Sequence, residues 1–180
     1  MSLTATIYNF DIDLADQDRG VYETLSLRVA RHPSESEEYL WTRVLAYCLE
    51  FREGIDFSHG GLSDPDEPAI LVRDLTGAIQ SWVEIGAPDA ERLHKASKAA
   101  PRVAVYSHKD PAQIVSRLRA ARIHRAEAIE FNSLDRAFIA QLAPHLNRRV
   151  AFAVSVVDRE VYLAIGSDTL TTRINRHSLL

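Results

Sequence analysis

The sequence predicts an α+β fold: a mixed β-sheet flanked by helices, with an antiparallel hairpin at each end of the chain. Two observations carry this. Residues alternate with period two near both ends, and short apolar strands alternate with helical-period segments in the middle. A third observation sets the scale. At 180 residues, with 46% hydrophobic and 26% charged residues, the chain is long enough to bury one full core as a single domain, 1–180. No repeat, low-complexity segment or Pro/Gly-rich linker divides it.

From Thr4 to Leu14, Ile7, Asn9 and Asp11 alternate with Tyr8, Phe10 and Ile12, and after a polar turn ending at Gly20, Leu25, Leu27 and Val29 alternate with Ser26, Arg28 and Ala30. These form the first hairpin. His32-Pro33 breaks the second strand. Ser34 with Glu37 fits a capping box for a helix running to about Arg52 and ending at Gly54. Leu40, Val44 and Cys48, with Trp41, Leu45 and Leu49, give that helix a broad apolar face. Glu38 lies at the edge of this face, an unusual place for a carboxylate.

A polar loop from Gly54 to Asp66 precedes two strands, Ala69–Arg73 and Ile79–Ile85, joined by the turn Asp74-Leu75-Thr76-Gly77. Helices are expected over 88–99, 111–122 and 133–142, with strands at 102–106 and 126–131 between them. Val150–Val157 and Val161–Ile165 make the closing hairpin, turning at Asp158-Arg159-Glu160.

Composition narrows the function. The single cysteine, Cys48, rules out an intrachain disulfide and thiolate zinc sites, and its apolar setting predicts a buried, inert thiol. Dinucleotide-binding, phosphate-loop, zinc-hydrolase and nucleophile-elbow motifs are all absent, and the seven histidines are scattered. The N-terminus lacks a basic start and an unbroken apolar core, and no apolar stretch is long enough to span a bilayer. A cytoplasmic protein with no membrane contact is expected. The net charge of −4 argues against a protein that coats DNA non-specifically. Arg117, Arg119, Arg122 and Arg125 nevertheless cluster, either as a solvated helix face or as a phosphate-contacting patch.

One constellation carries chemistry. On the strand Ile79–Ile85, Glu84 shares a face with Trp82 and sits among large or apolar neighbours. A lone buried carboxylate is costly, so a partner is expected. Residues 66–68 lie opposite Glu84 across the hairpin, so Asp66 can face it. Two carboxylates a few ångströms apart share a proton or bind a hard cation such as Mg²⁺ or Mn²⁺. Such a cation activates water and neutralises phosphoryl charge in phosphodiester hydrolysis. The competing reading makes Glu84 half of a structural ion pair with Arg73, Asp66 a turn residue, Glu38 a partner of its helix dipole and Trp82 core packing.

Pro65-Asp66, followed eighteen residues later by Glu84-x-Gly86, resembles the pattern of PD-(D/E)XK nucleases. A resemblance to the YaeQ family covers essentially the whole chain. It is carried by Ala5-Thr6-Ile7-Tyr8, Ala30-Arg31-His32-Pro33-Ser34-Glu35 with Glu38, Asp66-Glu67-Pro68, Trp82-Val83-Glu84-Ile85-Gly86 and Lys95-Ala96. YaeQ proteins look like divergent members of the nuclease superfamily, and their biochemical function is not settled. The resemblance implies a restriction-endonuclease-like core and a catalytic set of Glu38, Asp66, Glu84 and a lysine, with Asp66 and Glu84 as metal ligands. The superfamily lysine belongs two residues after the glutamate, where this chain has Gly86. Lys95 on the next helix is the candidate substitute, although it lies about 200° around that helix from the buried Leu93.

Two functions follow as expectations. One is a Mg²⁺- or Mn²⁺-dependent phosphodiesterase acting on nucleic acid. The other is a non-catalytic module of the same fold that binds a nucleic-acid or protein partner.

Overall fold

A computed structural model describes residues 4–59 and 66–180. Among the described residues, eleven strands and four α-helices bear out the α+β class, with the strands divided between two mixed sheets. The chain separates into two compact units: residues 1–41 with 134–174, and 42–133 with 175–180. Among the described residues, no helix is long and apolar enough to cross a membrane.

The first unit holds a five-stranded sheet. Strands β1 (Thr6–Asp16) and β2 (Val21–Arg31) form the N-terminal hairpin, and β8 (Arg149–Val157), β9 (Glu160–Ile165) and β10 (Asp168–Arg173) form a C-terminal meander, giving the order β10-β9-β8-β1-β2. The two terminal hairpins are thus joined by parallel pairing of β1 with β8, from Asn9↔Arg149 to Asp16↔Val156. Alternation buries Phe10, Ile12 and Leu14, and the rings of Phe10, Trp41 and Phe152 pack with centroids 5.5–6.5 Å apart. Helix α4 (Arg136–Leu142) adds Phe138, Ile139 and Leu142 to the buried set; it starts later than its periodicity suggests because Asp135 is the cap, accepting from the Ala137 amide. The β8–β9 turn has Asp158 and Arg159 both at positive φ, as a two-residue hairpin loop requires. Asp18 secures it by accepting both of their backbone N–H groups, at 2.7 and 2.9 Å.

Helix α1 (Glu37–Glu50) begins in the first unit and continues into the second. Its start differs from the expected capping box. Ser36 accepts from the Tyr39 amide at 3.0 Å, while Ser34 bonds instead to the His32 ring. Glu35 turns back to the His32 amide. The Pro33-Ser34 pair therefore belongs to a tight turn before the helix, which delays its start.

The second unit is a six-stranded sheet in the order β11-β7-β6-β5-β4-β3. Its strands are β3 (Ile55–Phe57), β4 (Ile70–Arg73), β5 (Ile79–Ile85), β6 (Arg102–Ser107), β7 (Glu130–Ser133) and β11 (Asn175–His177). Strands β5, β6 and β7 are parallel, connected through α2 (Ala90–Ala99) and α3 (Pro111–Ala120). Both helices lay their apolar stripes on one face. Leu93, Ala96, Ile114, Val115 and Leu118 join Trp82, Val103, Val105 and Phe131 in one core cluster. Cys48 is buried, as expected.

Candidate functional site

The β4–β5 hairpin turns where the sequence places it. Asp74 Oδ1 accepts from Thr76 N, Thr76 Oγ1 and Ala78 N at 2.6–3.0 Å, and Oδ2 accepts from the Gln80 amide. The bond from the Thr76 hydroxyl does most to hold the Asp74 carboxyl below its usual range. Asp74 is turn chemistry, 0.3 nm-scale bonding within its own loop, and the hairpin it closes carries β5 out to Glu84. A register shift at Val72/Arg73 means that pairing with β4 ends at Ile70↔Val83, so Glu84 lies one residue beyond the last pair. On its other side it faces Val105 of β6.

Glu84 is buried, 5% exposed, on the sheet face that α2 covers. Its Oε1 accepts from the Trp82 indole Nε1 at 2.6 Å and from Arg92 Nε at 2.7 Å. Among the described residues, Oε2 accepts no hydrogen bond. Burial pushes the Glu84 carboxyl above its usual range, and the Trp82 hydrogen bond and the Arg92 guanidinium only partly oppose that push. Arg92 also donates to the Glu67 carbonyl at 2.6 Å. One guanidinium thus ties the end of β5 to the segment containing Asp66.

The second acid of the hairpin is exposed, and Asp66 Oδ1 forms an ion pair with Lys95 Nζ. Helix α2 supplies both cations because its start is fixed: Asp89 accepts from the Arg92 amide at 2.8 Å. Arg92 and Lys95 then fall three residues apart, on neighbouring positions of one helix face. Lys95 is exposed, as its angle from Leu93 implies, yet it reaches Asp66.

The expected residues are therefore brought together in part. Asp66 with Lys95, and Glu84 with Arg92, form two acid–base pairs linked through Glu67 in the second unit. Glu38 lies in the first turn of α1, half-buried, in the first unit. Among the described residues, no three His, Cys, Asp or Glu side chains gather so as to hold a metal ion. Asp64 and Pro65 lie outside the described residues. Gly86 has φ 89° and is buried, and its N–H donates to the Tyr106 carbonyl. A lysine there would be strained in backbone, which accounts for the glycine.

The family model for YaeQ protein matches residues 1–174. The chain belongs to the YaeQ family. It is 31% identical to the uncharacterized protein YaeQ of Salmonella typhi, over 97% of this chain and 96% of that one. It is 30% identical to the uncharacterized protein YaeQ of Escherichia coli K12, with the same coverage. Crystal structures of YaeQ proteins from Xanthomonas axonopodis pv. citri and Pseudomonas syringae share the fold. Their TM-scores are 0.88 and 0.86, at 30% and 28% identity. The matches cover 97% of this chain and 99% of the first structure, and 96% and 95% for the second.

For this YaeQ-family chain, two site residues escaped the reading of the sequence. Arg92, not Arg73, partners Glu84; Arg73 is exposed and donates to the Gly77 carbonyl of its own turn. The available signal was the Asp89 cap, which sets the helix phase and puts Arg92 at the border of the Leu93–Ala96 stripe. Trp82 is core, at 2% exposure, and also a donor to the acid two residues along its strand.

Proposed function

We propose that this protein is a metal-dependent phosphodiesterase acting on nucleic acid, with Glu84 and Asp66 as the acidic residues and Lys95 and Arg92 as the adjoining cations. The observation that carries the reading is the half-used Glu84 carboxylate. One oxygen is held by an indole and a guanidinium, while the other accepts nothing among the described residues. That second oxygen is open to a ligand, whereas both oxygens of the equally deep Glu50 are engaged by Arg102 and Tyr106.

The donors are carboxylate oxygens, the kind a hard divalent cation takes. Carboxylate oxygens suit Mg²⁺ or Mn²⁺, which commonly takes one or two carboxylates and completes its shell with water and substrate phosphate. When bound, such an ion activates water and neutralises charge on the phosphoryl oxygens. Trp82 and Arg92 fix the carboxylate of Glu84 in place. Lys95, released from Asp66, would supply positive charge to the reacting phosphate, replacing the lysine that Gly86 cannot provide. The PD-(D/E)XK likeness supports this assignment of roles, and Glu38 is the remaining acid it suggests.

The test pairs calorimetry with cleavage. Purified protein is titrated with Mn²⁺ and incubated with single- and double-stranded DNA and RNA plus Mg²⁺ or Mn²⁺. Metal binding and cleavage that both vanish in Glu84→Ala are expected. Equal behaviour of wild type and variant across all substrates would refute the proposal. A second reading, a non-catalytic module binding a nucleic-acid or protein partner, is favoured by the positive φ of Gly86 and by the ion pairs that already engage both acids. Metal-independent binding without cleavage would select it.

A further inference from the structure

The charge of this chain is segregated. Residues 90–125, spanning α2, β6 and α3, carry nine Lys and Arg against two Asp and Glu, a net +7; the remainder carries 12 against 23, a net −11. Three of the nine basic residues are engaged by acids: Arg92 by Glu84, Lys95 by Asp66, and Arg102 by Glu50 and Glu130. The other six, Lys98, Lys109, Arg117, Arg119, Arg122 and Arg125, are exposed, and none has a carboxylate partner among the described residues.

These side chains are not spread at random. Helices α2 and α3 pack on the same face of the sheet, through Leu93, Ala96, Ile114 and Leu118, so their polar sides lie on the outer surface of one layer. The turn after α3 is fastened to α2 by the His124 backbone N–H, which donates to His94 Nδ1 at 3.0 Å. That bond draws Arg122 and Arg125 toward the helix carrying Lys98, and Arg125 and Ser97 line one shallow hollow. Arg119 is braced by a bond from its Nε to the Ser178 carbonyl at 3.0 Å. Along α2, Arg92, Lys95 and Lys98 recur every three residues, about 4.5 Å of axial rise per step. A cationic stripe thus leads from the candidate site onto the arginine-bearing turn.

Gathering this many like charges on one layer is unfavourable without an anionic partner. We infer that the outer face of α2 and α3 is a track for the phosphate backbone of nucleic acid, with Lys98, Arg117, Arg122 and Arg125 as its phosphate contacts. The identity of the polyanion rests on the nucleic-acid reading above, but the track does not require cleavage. Binding here is electrostatic and largely independent of base sequence.

The experiment measures binding in EDTA, so that no metal chemistry intervenes. Fluorescence anisotropy follows a labelled 20-nucleotide DNA, single-stranded and duplex, from about 50 to 200 mM salt. Wild type is expected to bind with an affinity that falls steeply with salt. Lys98→Glu/Arg122→Glu/Arg125→Glu should weaken binding more than tenfold and flatten the log–log salt slope on duplex by about 3, from roughly 0.9 per lost contact. The charge-conserving Arg122→Lys/Arg125→Lys variant should stay within about threefold of wild type, which separates lost charge from lost structure. Circular dichroism and thermal midpoints confirm that all proteins fold. Absence of wild-type binding at 50 mM salt, or equal affinity and slope in the charge-reversed protein, would overturn the track. A protein that binds without cleaving keeps the track and loses the catalytic reading, and one that cleaves with the reversed charges at unchanged KM does the opposite.

Discussion

Two carboxylates of the second unit, Glu50 and Glu84, lie on opposite faces of one sheet and have very different surroundings. On β6, Val103 and Val105 face the α2–α3 layer, so Arg102 and Tyr106 face the other way, toward Glu50 of α1. Glu50 is 1% exposed and both of its oxygens are used. Oε1 accepts from the Tyr106 hydroxyl at 2.7 Å and Arg102 at 3.0 Å, and Oε2 accepts from Arg102 at 2.6 Å. Arg102 then reaches Glu130 at 2.6 Å, which pairs with Arg176 at 3.0 Å. Glu84 is nearly as buried, but its two donors converge on one oxygen. A saturated carboxylate with a two-pronged arginine is built to hold the fold together. One left half-open is suited to receiving something else. What separates structure from site here is where the donors go, more than how deep the acid is.

Replacing each acid with its amide sharpens the contrast, and the largest effect belongs to Glu50. Glu50→Gln presents N–H groups to donors and removes the buried carboxylate that takes both prongs of the Arg102 fork, which should cost about 3 kcal/mol of stability. Chemical denaturation reads it as a lower urea midpoint at unchanged slope. Glu84→Gln keeps an acceptor for Trp82 and removes a charge that burial disfavours. Its stability at neutral pH should therefore stay within about 1 kcal/mol of wild type, and, if the proposed function holds, Mn²⁺ binding should disappear. Equal destabilisation by the two substitutions would erase the distinction between the sites.

The pH dependence follows from the direction of the Glu84 shift. Its carboxyl holds a proton more tightly in the folded chain than in the unfolded one, so ionising it penalises the folded state. Below the ordinary glutamate value both states are protonated and the penalty is absent. It grows as pH rises through the window up to the raised value and is complete above it. In metal-free buffer, the stability of Glu84→Gln relative to wild type should therefore increase from about pH 4.5 to 7. Denaturation series at three pH values measure the difference. A constant offset would mean that Glu84 titrates as an exposed acid.

How much of this was legible beforehand depends on the range of the interaction. The turn at Asp74–Gly77 and the strand Ile79–Ile85 follow from local chemistry and were readable from the residues alone. The parallel joining of β1 to β8 was not, since residues about 140 apart in sequence leave no local sign of their pairing. Strands β3, β10 and β11 were missed as well. Their short segments become strands by pairing with β4, β9 and β7. At the site, burial of Glu84 could be inferred from its neighbours on β5, but its partner could not. Arg73 is on the same hairpin but pairs with Ile79 near its turn, and only the phase of α2, set by Asp89, brings Arg92 to the carboxylate.

The smallest stability effect is expected at the pair with the most chemistry at stake. Lys95 and Asp66 are both more than half exposed, so their ion pair is screened by solvent and contributes little. Lys95→Ala should change stability by less than about 0.5 kcal/mol, within the range of exposed pairs. If Lys95 supplies charge to the reacting phosphate, the same substitution should lower kcat of any phosphodiester cleavage by at least about tenfold, as loss of a preorganised charge does. It should also leave Mn²⁺ affinity unchanged or increased, because Asp66 loses the cation that competes for its oxygens. A variant with weaker metal binding and unaltered turnover would reverse the assignment. Lys95 would then be holding Asp66 in place, as Arg102 holds Glu50.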